Sequence, residues 1–219
     1  ELADFAATLL VTAVIPAGSA GRLVVSCQVG DGMTALIDSQ GSYESAVKLM
    51  GEADSGEFSG ETDFLTSAKM GTLETLQNRT KLSLGHSDLL LMMTDGVADD
   101  YFPPQREMRR LYLDLLANGV LRSQPGPLTP EIMRCYQMLP SPLAYPWVND
   151  QNVQAPLHYT RRIVEAGQTM EALWMNRTAL SMVGMAVESE DPAENLCWWL
   201  DNYVERGSFD DRTLLVIRM

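Results

Sequence analysis

"DLLLMMTDGVADDY", residues Asp88 to Tyr101, is an apolar run that ends in a cluster of acids. Leu89 to Met93 read as a buried strand, because a short, unbroken apolar run bounded by polar residues suits a strand covered on both faces. Thr94, Asp95 and Gly96 follow at once, then Asp99 and Asp100, and no basic residue appears until Arg106. A carboxylate at the edge of a core is costly unless something pairs with it. The stretch therefore asks for a positive charge that its own neighbourhood does not hold.

The same pattern recurs on either side. "ATLLVTAVI" (7–15) is β-branched and apolar and reads as a buried strand. "RLVVSCQV" (22–29) and "MTALID" (33–38) flank Gly30-Asp31-Gly32, and two strands around a short Gly/Asp turn predict a β-hairpin. Residues 51–61 read as a loop, and "TDFLTS" (62–67) as a short strand. At the far end Asp210 and Asp211 precede a final strand, Thr213 to Arg218. Between about Pro103 and Glu190 the period changes. "QREMRRLYLDLLANGV", "TPEIMRCYQML" and "MEALWMNRTALSMVGMAV" carry apolar residues at helical spacing and predict a mostly helical insertion. "DPAENLCWWLDNYVERG" predicts a further helix, with Asp191 as N-cap, Pro192 at its first position and Gly207 as its stop. Strands at both ends with helices between them suggest an α+β fold.

Composition narrows the function. The chain has 219 residues, of which 46% are hydrophobic, so a packed core is available. Sixteen Lys and Arg stand against 29 Asp and Glu, a formal charge of −13. That argues against a nucleic-acid partner, which needs a basic face. The cysteines, Cys27, Cys135 and Cys197, are scattered and odd in number, which argues against a disulfide framework and for a reducing cytoplasm. His86 and His158 are the only histidines, a poor supply for a zinc site or a Ser-His-Asp triad. No run approaches ~18 apolar residues, so no membrane span is expected. Trp147, Trp174, Trp198 and Trp199 read as packing residues.

Three acidic spots each lie where an apolar strand meets a turn: Asp31, Asp95 with Asp99, and Asp210 with Asp211. If the strands are neighbours, these carboxylates converge at one edge of a sheet. Clustered carboxylates repel unless a cation sits among them. Mg²⁺ and Mn²⁺ take oxygen ligands and need few protein groups, and two such ions ~4 Å apart orient phosphate and activate a water. Each spot also has a plain alternative: a hairpin turn at Asp31, a turn at Asp95-Gly96, the acidic start of a helix at Asp99 and Asp100, a loop at Asp210 and Asp211.

The order of these motifs resembles that of the metal-dependent type 2C (PPM) serine/threonine protein phosphatases. "LLLMMTDGVADD" is similar to their apolar run followed by D-G-x-x-D. "GSFDDRTLLVI" is similar to their G-S-x-D-N-x-T and strand, "LVVSCQVGDGMTALI" to their strand, G-D turn and returning strand, and "FAATLLVTAVI" to the strand before it. "GEFSGETDFLTS" resembles a segment of the bacterial branch. The resemblance covers about residues 4–100 and 192–219 and leaves the helical insertion, about 103–190, without a counterpart. It implies a single domain of the PPM-type β-sandwich flanked by helices, with that insertion. It also implies metal-dependent hydrolysis of a phosphoprotein in the cytoplasm, two or three Mg²⁺ or Mn²⁺ ions, and a metal-bound water as the nucleophile. Asp95, with Gly96 of the same motif, and Asp210 would hold the metal pair. Asp31 and Asp99 would join Asp95 around a third ion, and Asp211 stands where the family has Asn.

The family's D-G-x-G-G segment, which supplies the Asp bridging the two metals, has no match in this chain. The resemblance thus implies an N-terminally incomplete domain, its first ~80–100 residues being a partner that the site needs. The rival reading is a catalytically inactive pseudophosphatase that acts as a binding or regulatory module. A calcium-binding structural protein is weaker still, since no EF-hand loop is present. The insertion leaves directly after Asp99, which suits either a role in choosing substrates or partners or a plain packing role.

Overall fold

The computed structural model of the chain describes residues 7–51, 64–122, 129–139, 159–185, 189–202 and 211–219. The fold is α+β, as expected, with strands and helices segregated along the chain. The contacts divide it into two units, residues 1–105 with 207–219, and residues 106–206.

The first unit holds two antiparallel sheets. One has three strands in the order β1 (Leu9–Pro16), β2 (Arg22–Val29), β5 (Thr80–Gly85). The other has four, in the order β4 (Val47–Leu49), β3 (Met33–Ile37), β6 (Leu89–Met93), β7 (Leu214–Arg218). The apolar runs decide which strands are central. All of β3 and four of five residues of β6 are buried, and these two pair in the middle of the larger sheet. Val24 of β2 meets Leu36 of β3, Leu90 of β6 and Met50 in one cluster, with Met92 and Met219 packed against it. That cluster joins the two sheets face to face.

Three expectations fail here. β2 and β3 are not a hairpin: β2 pairs with β1 and β5, and β3 with β4 and β6. A tight two-residue turn needs positive φ at both central residues in its commonest form. Gly30 takes φ 106° but Gly32 is not in the left-handed region, so the segment is a corner from one sheet to the other. Residues 64–67 of the proposed strand "TDFLTS" form a turn instead, and 62 and 63 lie outside the described residues. Phe64 N–H donates to Ser67 Oγ and Ser67 N–H to the Phe64 carbonyl, a local closure that competes with strand pairing. β1 is a strand, but not a buried one. It is the edge of the smaller sheet, and Val11 and Ile15 are 50% and 49% exposed. They share an outward face with Leu23 and Val25 of β2 and with Leu82 and Leu84 of β5 by register. This face carries no charged residue. Its opposite face turns Val24, Ser26, Gln28 and Ser83 inward.

The second unit is helical. α3 (Pro104–Ala117) is buried through Met108, Leu111, Leu113, Leu115 and Leu116. α4 (Pro130–Met138) is capped by the Thr129 hydroxyl, which accepts from Ile132 N–H. α5 (Tyr159–Glu165) is tied to α3 by Thr160, whose N–H and hydroxyl both donate to Asp114 Oδ1. The expected helix from Met170 is two, α6 (Met170–Met175) and α7 (Arg177–Gly184), broken at Asn176. The Asn176 amide folds back onto the Ala172 carbonyl there, at 2.8 Å. α7 can approach α3 because Gly184 lacks a side chain, its Cβ position falling on the Leu116 carbonyl. α8 (Pro192–Asn202) starts as its sequence predicts, with Ala193 N–H donating to Asp191 Oδ1 at 2.8 Å; Gly207 lies outside the described residues. Trp174 and Trp199 are fully buried, in keeping with packing roles.

Several short elements went unread in the sequence, among them two between β4 and β6. α1 (Leu73–Asn78) has the Thr72 hydroxyl as its cap, an ordinary N-cap signal. β5 carries a clean period-two pattern, but its apolar residues face outward and its serine inward, which hides it from a search for buried strands.

Candidate functional site

The larger sheet gathers the acidic turns. Met33 at the start of β3 pairs with Met93 at the end of β6, and Met93 pairs with Leu214 at the start of β7. Asp31 precedes Met33 by two residues, Asp95 follows Met93 by two, and Asp211 precedes Leu214 by three. Antiparallel pairing therefore brings three segments, far apart in the chain, to one end of one sheet.

Beyond β6 the chain turns into α2 (Asp95–Ala98), a single turn whose Gly96, Val97 and Ala98 are buried. Asp95 opens it, half-buried, and its Oδ1 accepts from Gly96 N–H at 2.8 Å. Asp99 follows on the exposed side. Thr94 fixes the entry to this turn. Its N–H donates to the Thr213 carbonyl at 3.1 Å, its hydroxyl accepts from Thr213 N–H at 3.0 Å, and the same hydroxyl donates to the Asp211 carbonyl at 3.2 Å. One side chain thus clasps the Asp95 turn to the segment that leads into β7.

The positive charge that the opening stretch lacks arrives from this segment. Arg212 Nε lies 3.7 Å from Asp100 Oδ2, and the two side chains are only 15% and 4% exposed. Asp100 is thereby an internal ion-pair partner, distinct in its surroundings from exposed Asp99 and half-buried Asp95.

At the Asp31 corner, Gly32 allows a close approach: a Cβ there would sit 2.7 Å from the Met93 carbonyl oxygen and 3.0 Å from Leu10. The corner is thus pressed against the last residue of β6, beside the Thr94-Asp95 turn. Gln28, 2% exposed, lies behind it.

Of the residues singled out in the sequence, Asp31, Asp95, Gly96, Asp99 and Asp211 belong to segments at this one end, and Asp210 lies outside the described residues. Four of these five carry a carboxylate and Gly96 has only its backbone carbonyl, all of them oxygen groups of the kind that suits a hard divalent cation and not a soft one. Among the described residues no group of three or more His, Cys, Asp and Glu is placed to hold a metal ion. Thr94, Arg212 and Gln28 were missed in the sequence. Their partners lie across the fold or on backbone atoms, which no local pattern reveals.

Among the described residues no helix is long and apolar enough to cross a membrane. No curated protein and no solved structure gives a significant match to the chain. The family model described as Protein phosphatase 2C matches residues 1–123, more than half of the chain, a range that includes the Asp31 corner and the Asp95 turn and runs into the helical unit. The chain belongs to the protein phosphatase 2C family.

Proposed function

We propose that the end of the larger sheet is part of the active site of a metal-dependent phosphoprotein phosphatase of the serine/threonine type, in the bacterial branch and cytoplasmic. The observation that supports this most is the register Met33–Met93–Leu214, which draws Asp31, Asp95 and Asp211 from separate turns towards one place. Segments that each carry an acid meet at one sheet end, and acids so placed repel one another unless a cation joins them.

Mg²⁺ or Mn²⁺, when bound, would supply charge against the phosphate oxygens and a water acidic enough to attack phosphorus. The chain's own residues would hold it: Asp95 and Asp210 for the catalytic pair, Asp31 and Asp99 with Asp95 for a third ion. Thr94 keeps the Asp95 turn in register with the segment of Asp211. Because Asp100 is bound by Arg212, it serves the fold and not the ion. A segment of the same domain preceding β1 would complete the ligand set.

One observation favours the rival, a pseudophosphatase that binds without turnover. Asp211 is exposed and charged where the family resemblance calls for Asn, and the extra carboxylate raises repulsion within the site. The test is hydrolysis of p-nitrophenyl phosphate with and without Mn²⁺, beside intact-mass analysis of the protein used. Hydrolysis that requires Mn²⁺ and is lost in Asp95→Ala supports the phosphatase. Protein that carries the full domain, binds Mn²⁺ and turns nothing over supports the rival.

A further inference from the structure

We infer that Gln28 is a positioning residue for the site, holding the Asp31 corner in place through a single buried amide. Its Nε2 donates to both the Gly30 carbonyl, at 3.3 Å, and the Gly32 carbonyl, the two carbonyls that flank Asp31. Gln28 sits on the inward face of β2, with Val24 and Ser26. Its backbone is anchored as well: Gln28 N–H donates to the Arg79 carbonyl at 3.4 Å, and its carbonyl accepts from Arg79 Nη1 at 3.5 Å.

Three glycines surround this amide, and two have a reason to be glycine that involves it. Gly30 takes φ 106°, which lets its carbonyl turn back to the amide, and a Cβ on it would strike Thr8. Gly51 lies against the other side, where a Cβ would strike the Gln28 side-chain oxygen. Gly32 carries the second accepted bond and presses on Met93. The corner is thus packed around a side chain of one length with two donor hydrogens. Glutamine is the uncharged residue that offers both.

The consequence lies in where Asp31 is held. The corner passes between two different sheets, and the amide ties the carbonyls on both sides of the acid to the inward face of β2. Outer partners that orient a ligand typically change metal affinity by about 10-fold or more when removed. This inference rests on the metal-site reading given above.

The test uses the full chain with Gln28→Met, which keeps the volume and removes the donors, and with Gln28→Asn, which keeps the donors on a shorter stem. Amide hydrogen exchange at Asp31 and Gly32 reports the clamp without any metal. Calorimetric titration with Mn²⁺ reports its use, in the wild-type background and in Asp31→Asn. The expected result is faster exchange at the corner with β3 unchanged. Mn²⁺ affinity should fall about 10-fold for Gln28→Met in the wild-type background, fall less for Gln28→Asn, and not change further in Asp31→Asn. Equal Mn²⁺ affinity with and without the amide, or unchanged exchange at the corner, overturns the inference while leaving the metal reading intact. If the wild-type chain takes up no Mn²⁺, the metal reading falls and the inference falls with it.

Discussion

The two ends of the four-stranded sheet both carry aspartates at strand–turn junctions, and they use them in opposite ways. At one end Asp88 Oδ1 accepts from Ser39 N–H at 2.6 Å, and Asp38 Oδ1 accepts from Gln40 and Gly41 N–H at 3.0 and 3.1 Å. Asp88 N–H donates to the Ile37 carbonyl, and the Asp88 carbonyl accepts from Met219 N–H. Both acids spend their charge on the backbone of one turn, the one that leaves β3: Asp38 from within it and Asp88 from across the sheet end. At the other end Asp95 accepts from the N–H of the next residue, and Asp211 presents an exposed side chain while its carbonyl accepts from the Thr94 hydroxyl. Thr94, Gln28 and Arg212 hold that end together instead. On the proposed function, this difference separates acids that hold a cation from acids that cap turns.

Substitutions should separate the two ends. The largest loss of stability is expected from Arg212→Met, which removes the cation 3.7 Å from the buried Asp100 carboxylate, at a cost of roughly 3 kcal/mol. Denaturant unfolding would measure it, and the double variant with Asp100→Asn should recover most of the loss. Next comes Asp88→Ala at the opposite end, which strands Ser39 N–H. A charge-assisted bond of this kind is worth about 2 kcal/mol, and Mn²⁺ binding should be unaffected. Thr94→Val removes the hydroxyl that bridges Thr213 and Asp211 and should cost about 1 kcal/mol. Unlike Asp88→Ala, it should also weaken Mn²⁺ binding, because it loosens the Asp95 turn. The smallest effect on stability, under about 0.5 kcal/mol, is expected from Asp95→Asn, with the largest effect on metal binding and hydrolysis. If Asp88→Ala and Asp95→Asn behaved alike in both measurements, the contrast between the ends would collapse.

Much of this was legible beforehand, for reasons that are physical. The run Leu89 to Met93 could only be a central strand, and it is the one buried beside β3. Asp95, Asp31 and Asp211 could be proposed as neighbours because each interrupts an apolar strand at its end, and sheet pairing then brings such ends together. The helices from Gln105 and Thr129 showed in their periodicity. What failed was information held in the third dimension. The Gly30-Asp31-Gly32 turn looks the same in sequence whether it closes a hairpin or carries the chain between sheets, and the outcome lies in the pairing of β2 with β1 and β5 and of β3 with β4 and β6. The exposure of β1 depends on what lies against its outer face, which its own alternation does not encode. The partner of Asp100 lies at Arg212, beyond the helical unit in sequence, so no local reading of the acidic cluster finds it.

The open apolar face of the smaller sheet belongs with the same lesson. Leu82 and Leu84 are 63% and 61% exposed beside Val11 and Ile15, and a charge-free face of this kind is ordinarily covered by a further layer.

The most direct measurement is calorimetric titration of Mn²⁺ into the wild-type protein, Asp95→Asn and Asp88→Asn, each first shown to be folded. The account predicts saturable binding in the wild type, retained in Asp88→Asn and lost in Asp95→Asn. Binding that survives in Asp95→Asn, or that is lost equally from both variants, would contradict it.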